Sequence, residues 1–242
     1  MAKMLKSLKV WSKFSAVSKK TGQTCHFRMT DMPDYLRDHV VNLYIEYYVK
    51  EEAICKAVGV PKSIKALNEV RANILKATER PDSHTVVCCE DNGDEKIQDI
   101  VGASILTLQY KGQEEPKWKY ETQEVKKLLE IESSLADCFD EMKAYNLDRA
   151  LRDKGAFVRP EYSGFGISAE YVNVRRMICK ELGIPMHGAW VTAHGMQGGT
   201  ERSGCENVYE IPLQDIARKH GVTLKDDLPS YKYMVVKVEN NN

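Results

Sequence analysis

Nothing in the chain gives it a net sign: 35 Lys+Arg stand against 35 Asp+Glu in 242 residues, a formal charge of +0. A dedicated nucleic-acid binder would gather a basic excess on one face. A polybasic membrane anchor or an acidic disordered tail would also unbalance the count, and no run of about 18 apolar residues exists to span a bilayer. No cysteine pair has C-x-x-C spacing. The seven cysteines (Cys25, Cys55, Cys88, Cys89, Cys138, Cys179, Cys205) are odd in number and scattered through apolar segments. They read as reduced, buried thiols of a cytosolic protein, not as a disulfide frame or a zinc site. The six histidines show no metal-ligand spacing, so no metal is expected. There is no internal repeat, no low-complexity tract and no linker long enough to divide domains. No heptad or edge-strand device calls for an oligomer, so a monomer is expected.

The first residues, MAKMLKSLKVWSKFSAVSKK, are basic and amphipathic. They lack the apolar core of a secretory signal and the arginines of a mitochondrial presequence. They read as a flexible arm over residues 1–22, with a single domain over 23–242. Within that domain, Leu36, Val40, Leu43, Tyr44 and Tyr47 mark an amphipathic helix from Asp34 to Val49, with Asp31 as a candidate N-cap. Pro61 suits the first turn of a second helix, which Pro81 ends. His84–Glu90 and Ile100–Gln109 read as strands of an antiparallel hairpin around the turn cluster Asp91-Asn92-Gly93-Asp94. Residues 111–120 are polar and read as a loop. Glu121–Tyr145 reads as one long helix. Then strand Lys154–Arg159, a helix ending near Gly183, strand Met186–Ala193, a short helix Met196–Ser203, strand Asn207–Ile211, helix Leu213–His220 and strand Tyr231–Val238 alternate. The expected class is α/β, one mixed central sheet flanked by helices.

The strongest local signal is AFVRPEYSGFGIS at 156–168, where a strand feeds through two glycines into a helix. Free backbone N–H groups and the positive end of a helix dipole make an anion site suited to a phosphate. A plain strand-to-helix turn with two glycines also fits the residues. The Gly-Lys-Ser/Thr of a Walker loop is missing, and so is the third glycine of a dinucleotide fingerprint.

The order of elements, together with YYVKEEAICKAVGV at 47–60, FVRPEYSGFGI at 157–167 and ERSGCENVYEI at 201–211, resembles the GNAT acetyltransferases. It is similar in particular to the insect arylalkylamine N-acetyltransferase group, as a divergent paralogue. The resemblance implies an acyl-CoA N-acyltransferase fold. It also implies acetyl transfer from acetyl-CoA to a small primary amine by direct attack in a ternary complex. The cofactor-binding stretch carried over is Phe157, Val158, Ser163, Gly164, Phe165, Gly166, Ile167 and Ser168: backbone N–H groups for the pyrophosphate, and the strand edge for the pantetheine arm. Glu52 carries over as the general base, with Glu51 second; the pair also reads as exposed charges at a helix end. Thr192, His194 and Ser203 are the nearest polar groups for proton transfer to the leaving thiolate, although a lone His after a strand also reads as structural.

Three departures stand out. Ser163 occupies the place of the usual loop cation, leaving Arg159, Arg175 and Arg176 as candidates to compensate or as plain surface charges. Ala53 replaces the group's Pro, and Thr200 holds the place of a frequent Tyr acid. Leu228-Pro229-Ser230 replaces Pro-Pro-His. These favour a rival reading, a CoA-binding or regulatory protein with little turnover. Cys88-Cys89 reads as core. Tyr44, Tyr47 and Tyr48 with Trp190 read either as an aromatic amine pocket or as ordinary core and rim.

Overall fold

The computed structural model describes residues 8–18, 21–94, 96–113, 120–224 and 230–238. Residues 1–7 of the expected arm, most of the polar loop after Gln113 and Leu228-Pro229 lie outside them.

The rest of the arm is not an arm. Val10–Val17 is strand β1, paired antiparallel with β2, Thr24–Asp31. Trp11, Phe14 and Ala16 pack onto the core while Lys13, Ser15 and Val17 face outward, so the lysine-rich composition hides a two-residue alternation. β3 (Ser83–Glu90) and β4 (Ile100–Tyr110) form the predicted antiparallel pair, and β5 (Arg149–Val158) completes a five-stranded sheet in the order β1-β2-β3-β4-β5. β6 (Met186–Val191), β7 (Glu206–Ile211) and β8 (Tyr231–Lys237) form a second sheet in the order β6-β8-β7. The α/β class holds, but the expected single mixed sheet is two antiparallel sheets. Among the described residues no ladder joins β5 to β6.

The helices follow the apolar spacing, with corrections at their ends. The predicted 34–49 helix is a 3-10 turn (Asp34–Leu36), α1 (Arg37–Tyr44) and a π-helical turn (Ile45–Val49). Pro33, not Asp31, precedes the first turn; Asp31 ends β2 and accepts the Trp11 indole N–H at 2.6 Å. α2 is Ala53–Val58. Residues Val60–Lys62 make a 3-10 turn before α3, Ile64–Glu79, whose first turn is capped by the Ser63 hydroxyl. The long 121–145 helix is broken into α4, Gln123–Cys138, and α5, Glu141–Ala144. Phe139 turns extended there to reach Tyr233, 4.7 Å between ring centroids, and Asp140 caps the new helix on the Met142 N–H. α6 (Ile167–Leu182), α7 (His194–Arg202) and α8 (Leu213–His220) complete the set. Among the described residues no helix is long and apolar enough to cross a membrane.

Two cores lie on opposite faces of the first sheet. One gathers Val40 and Tyr44 of α1, Val70 of α3, Ile131 of α4 and Phe157 of β5, and extends to Tyr231 of the second sheet. The other packs Ile167, Tyr171, Val174 and Ile178 of α6 on Phe27, Met29, Val86 and Leu106. Between the sheets the joint is polar. His187 of β6 meets the Leu151 carbonyl of β5 at 3.0 Å, so its Nδ1 carries the proton. Arg175 of α6 is buried, pairs with Asp153 at 2.8 Å and donates to the Ser104 hydroxyl at 2.9 Å. Glu141, 1% exposed, pairs with Arg152 at 3.2 Å and packs against Gly188, which has no room for a side chain.

Burial pushes the Glu141 carboxyl up to about 7 despite the Arg152 charge. Burial, aided by the Arg175 charge, pushes His187 down to about 4. Glu141 therefore contributes stability that is full below its ordinary 4.5 and is lost as the pH rises through about 7. His187 contributes stability that is full above 6.5 and is lost as the pH falls through about 4. The slopes oppose each other in the shared window. Glu141→Gln removes the first, so thermal melts on a pH series should show the variant gaining on wild type from about pH 4.5 to about 7. A Tm difference constant over that range would contradict this reading.

Candidate active site

The glycine turn begins where β5 ends. The Arg159 N–H still bonds to the Val101 carbonyl at 2.8 Å, Pro160–Tyr162 makes a 3-10 turn, and the Ser163 N–H is taken by the Pro160 carbonyl at 3.1 Å. Gly164 and Gly166 follow at φ 89° and 78°, left-handed values that favour glycine. Phe165 between them packs edge-on to Phe27 at 5.5 Å, and Ile167 is buried, which anchors the turn. Among the described residues no side chain caps α6. Among the described residues, the N–H groups from Gly164 to Ala169 meet no protein acceptor. These orphan donors at the positive end of a helix make a backbone anion cradle.

The three candidate compensating cations are committed elsewhere. Arg159 is held by Asp99 at 2.6 Å and Glu161 at 2.5 Å. Arg175 is buried on Asp153 and Ser104. Arg176 bonds to Asn173 at 3.0 Å and to the Ser203 carbonyl. Neither expectation, free compensating cation or plain surface charge, fits Arg175.

The edge of β5 next to the turn is open. Because Arg159 bonds toward β4, and Ala103 faces Phe157, the alternation of an antiparallel ladder turns the Phe157 backbone toward β4 and the N–H and C=O of Ala156 and Val158 away from it. β5 is the last strand of its sheet, so those groups face the gap beside β6. Just upstream, Lys154 and Gly155 together oppose the single residue Ile105, a β-bulge. The Gly155 N–H is taken by the Asp153 carboxylate at 2.7 Å.

An aromatic face covers this bulge. In the π-helical turn Lys50 bonds back to Ile45 at 3.1 Å, and the widened turn stacks Tyr44 on Tyr48 at 4.7 Å. The Tyr44 hydroxyl donates to the Lys154 carbonyl at 2.5 Å. One turn on, Glu52 is the N-cap of α2: it accepts the Cys55 N–H at 2.8 Å and, with its other oxygen, the Tyr231 hydroxyl at 3.0 Å. This cap positions the carboxylate without the missing proline. Glu51 points away, exposed and paired with Lys56 at 2.5 Å. Trp190 stands edge-on to Tyr231 at 6.0 Å. Burial, and then the Glu52 charge, raise Tyr231 well above the ordinary phenol range and Cys55 well above the ordinary thiol range.

The structure thus joins Glu52 to Tyr231 beside Tyr48, but joins neither Thr192 nor His194 to it. Thr192 is half-buried after β6, His194 is exposed at the start of α7, and neither side chain hydrogen-bonds among the described residues. Thr200 is buried and donates to the Gln197 carbonyl at 2.8 Å, and Ser203 donates to Gly199 at 2.9 Å. The roles of Tyr231, Asp153 and Gly155 escaped sequence reading, because what brings them together is a strand bulge and a contact across 179 residues. The four-residue spacing Tyr44-Tyr48-Glu52 was the one local signal available. Among the described residues no cluster of His, Cys, Asp or Glu is arranged to hold a metal.

Gly155 sits at φ 113°, and a Cβ on it would lie 2.8 Å from both the Tyr44 hydroxyl and Tyr48 Cζ. Gly155→Ala should cost about 2–4 kcal/mol through backbone strain and overpacking. Urea denaturation measures this; a loss below about 1 kcal/mol would mean the tyrosines yield freely.

No protein-family model matches the chain, and no curated protein matches it in sequence. Solved structures do. The Aedes aegypti protein designated arylalkylamine N-acetyltransferase 7 is 21% identical, with 98% of each chain covered and a TM-score of 0.84. Arylalkylamine N-acetyltransferase 2 of the same mosquito is 13% identical over 88% of this chain and 99% of its own, TM-score 0.69. The Drosophila melanogaster polyamine N-acetyltransferase is 12% identical over 87% and 99%, TM-score 0.68. With its split pair of antiparallel sheets and flanking helices, the chain has the fold of the GNAT N-acetyltransferases.

Proposed function

We propose that the protein is an N-acetyltransferase that moves an acetyl group from acetyl-CoA to a small primary amine, arylalkylamine or polyamine-like, by direct attack in a ternary complex. One observation carries the reading. The half-buried Glu52 carboxylate, held by Cys55 and Tyr231 and with no cationic partner among the described residues, stands on an aromatic face over the β5 bulge. An open strand edge and an uncapped helix lead away from that bulge.

Bound acetyl-CoA supplies the activated acetyl group. The orphan N–H groups of Gly164 to Ser168 fit its pyrophosphate, and the outward backbone of Ala156 and Val158 fits the pantetheine arm as an added strand would. A primary amine is protonated at neutral pH and must lose a proton to attack. Glu52 is placed to take that proton. With the Gly155 N–H committed to Asp153, the Ala156 N–H is the first outward donor that can face the developing oxyanion. The aromatic face of Tyr48, Tyr231 and Trp190 suits the body of the amine. The seven scattered cysteines support a reducing cytosol, and nothing in the pattern of strands calls for a second subunit.

Acetyl-CoA should raise Tm, and a panel of aromatic amines, polyamines and agmatine should contain at least one that drives release of free CoA. Glu52→Gln should lower kcat/KM by about 10²–10⁴ and flatten the acidic limb of its pH profile while leaving acetyl-CoA affinity unchanged. An unaltered pH profile would remove Glu52 from the role. The commitment of Arg159, Arg175 and Arg176 to internal partners favours the second reading, a CoA-binding protein with little turnover. Binding without amine-dependent release would select it.

A further inference from the structure

When the amine displaces CoA, the electron pair of the C–S bond stays on sulfur, and the thiolate needs a proton. The groups of α7 are poorly placed to give one. Thr200 and Ser203 spend their hydroxyl protons on backbone carbonyls, and His194 is exposed and unanchored.

Tyr48 differs from them in each respect. Its hydroxyl makes no hydrogen bond among the described residues, whereas those of its neighbours Tyr44 and Tyr231 are both engaged. Tyr48 is half-buried, whereas Tyr44 and Tyr231 are buried. Its position is tightly held: Cζ would lie 2.8 Å from a Cβ on Gly155, and the ring stacks on Tyr44, which is itself tied to Lys154. The next residue after Gly155 is Ala156, where the outward-facing edge of β5 begins. The anchored phenol therefore stands where the open strand edge meets the aromatic face. Glu52, four residues on, is the charge that acts on it most strongly.

We propose that the Tyr48 hydroxyl protonates the departing CoA thiolate and that Glu52 restores the proton to Tyr48. This rests on the acetyl-transfer reading above. The balance is closed: the proton that Glu52 first takes from the ammonium leaves to solvent; the N–C bond then forms as the C–S bond breaks, sulfur takes the phenol proton, the second proton shed by nitrogen goes to Glu52, and Glu52 passes it by way of solvent to the phenolate. The net change is two N–H lost, one S–H gained and one proton released to solvent, with no further reactant. Burial, and then the Glu52 charge, hold the phenol well above its ordinary range, so it carries its proton at working pH. A protonated carboxyl is a far stronger acid than a phenol, so recharging the phenolate runs downhill.

Tyr48→Phe keeps the ring against Gly155 and removes only the hydroxyl. It should lower kcat by about 10² or more with Tm and acetyl-CoA affinity unchanged. A second readout does not depend on turnover. Calorimetry with CoA and desulfo-CoA should show wild type favouring the thiol, and Tyr48→Phe losing that preference while binding desulfo-CoA as before. Wild-type turnover in Tyr48→Phe, or an unchanged CoA to desulfo-CoA ratio, overturns the assignment, as does a chain that binds no CoA. A wild-type chain that binds CoA without amine-dependent release defeats the transferase reading, yet the calorimetric ratio still decides whether Tyr48 meets the sulfur. If His194→Ala loses turnover and Tyr48→Phe does not, the proton comes from His194.

Discussion

Midway along β5, Lys154 and Gly155 must fit opposite a single residue of β4, and most of the site depends on how the chain solves this. A bulge leaves one N–H and one C=O without ladder partners, and burying them unpaired would be costly. The Asp153 carboxylate accepts the Gly155 N–H, and the Tyr44 hydroxyl donates a hydrogen bond to the Lys154 carbonyl. Each of these partners brings more structure with it. Asp153 draws Arg175 of α6 into the sheet joint, and Tyr44 brings the stacked ring of Tyr48 over the glycine. α6, which follows the glycine turn, and α1, which leads to the proposed base, thus meet at one strand irregularity, from opposite faces of the sheet. The absent side chain of Gly155 is what makes the meeting possible.

The electrostatics follow the same economy. A chain with no net charge offers a polyanionic ligand no general attraction, and the arginines nearest the glycine turn already face carboxylates, an amide or a hydroxyl of the same chain. What remains for a phosphate is local: orphan N–H groups and one helix end, effective over a few ångströms. Glu52 shows the complementary device. It is fixed by being a helix cap, so the loss of a neighbouring proline does not release it. The buried Glu141 and His187 are shifted in opposite directions within one joint, which couples the seam between the sheets to pH without fixing a net sign.

Regular elements were legible wherever burial imposed a period. Helices α6 and α8, the hairpin of β3 and β4, and the last strand stand close to where their apolar spacing puts them. Reading failed where a non-local contact set the conformation. β1 carries lysine and serine outward and looked like an arm, because its strand character depends on pairing with β2. The break at Phe139 is invisible in the helical pattern, because an aromatic contact with Tyr233, far along the chain, pays for it. At the site, the glycine turn could be named from residue type and order, and Glu52 from the resemblance of its acidic segment to that of the insect group. The partners of Glu52 could not, since Tyr231 arrives from the second sheet.

By itself, the sequence determined the class of the fold and the glycine turn, because these rest on period and residue chemistry; the carboxylate pair from which Glu52 comes was marked by its resemblance to the insect group's acidic segment. Only the tertiary structure decided which carboxylate faces inward, which arginines are already spent, and which phenol near Glu52 has no hydrogen bond among the described residues. Those outcomes depend on desolvation and hydrogen-bond competition among groups brought together from distant parts of the chain. Local sequence does not encode that competition.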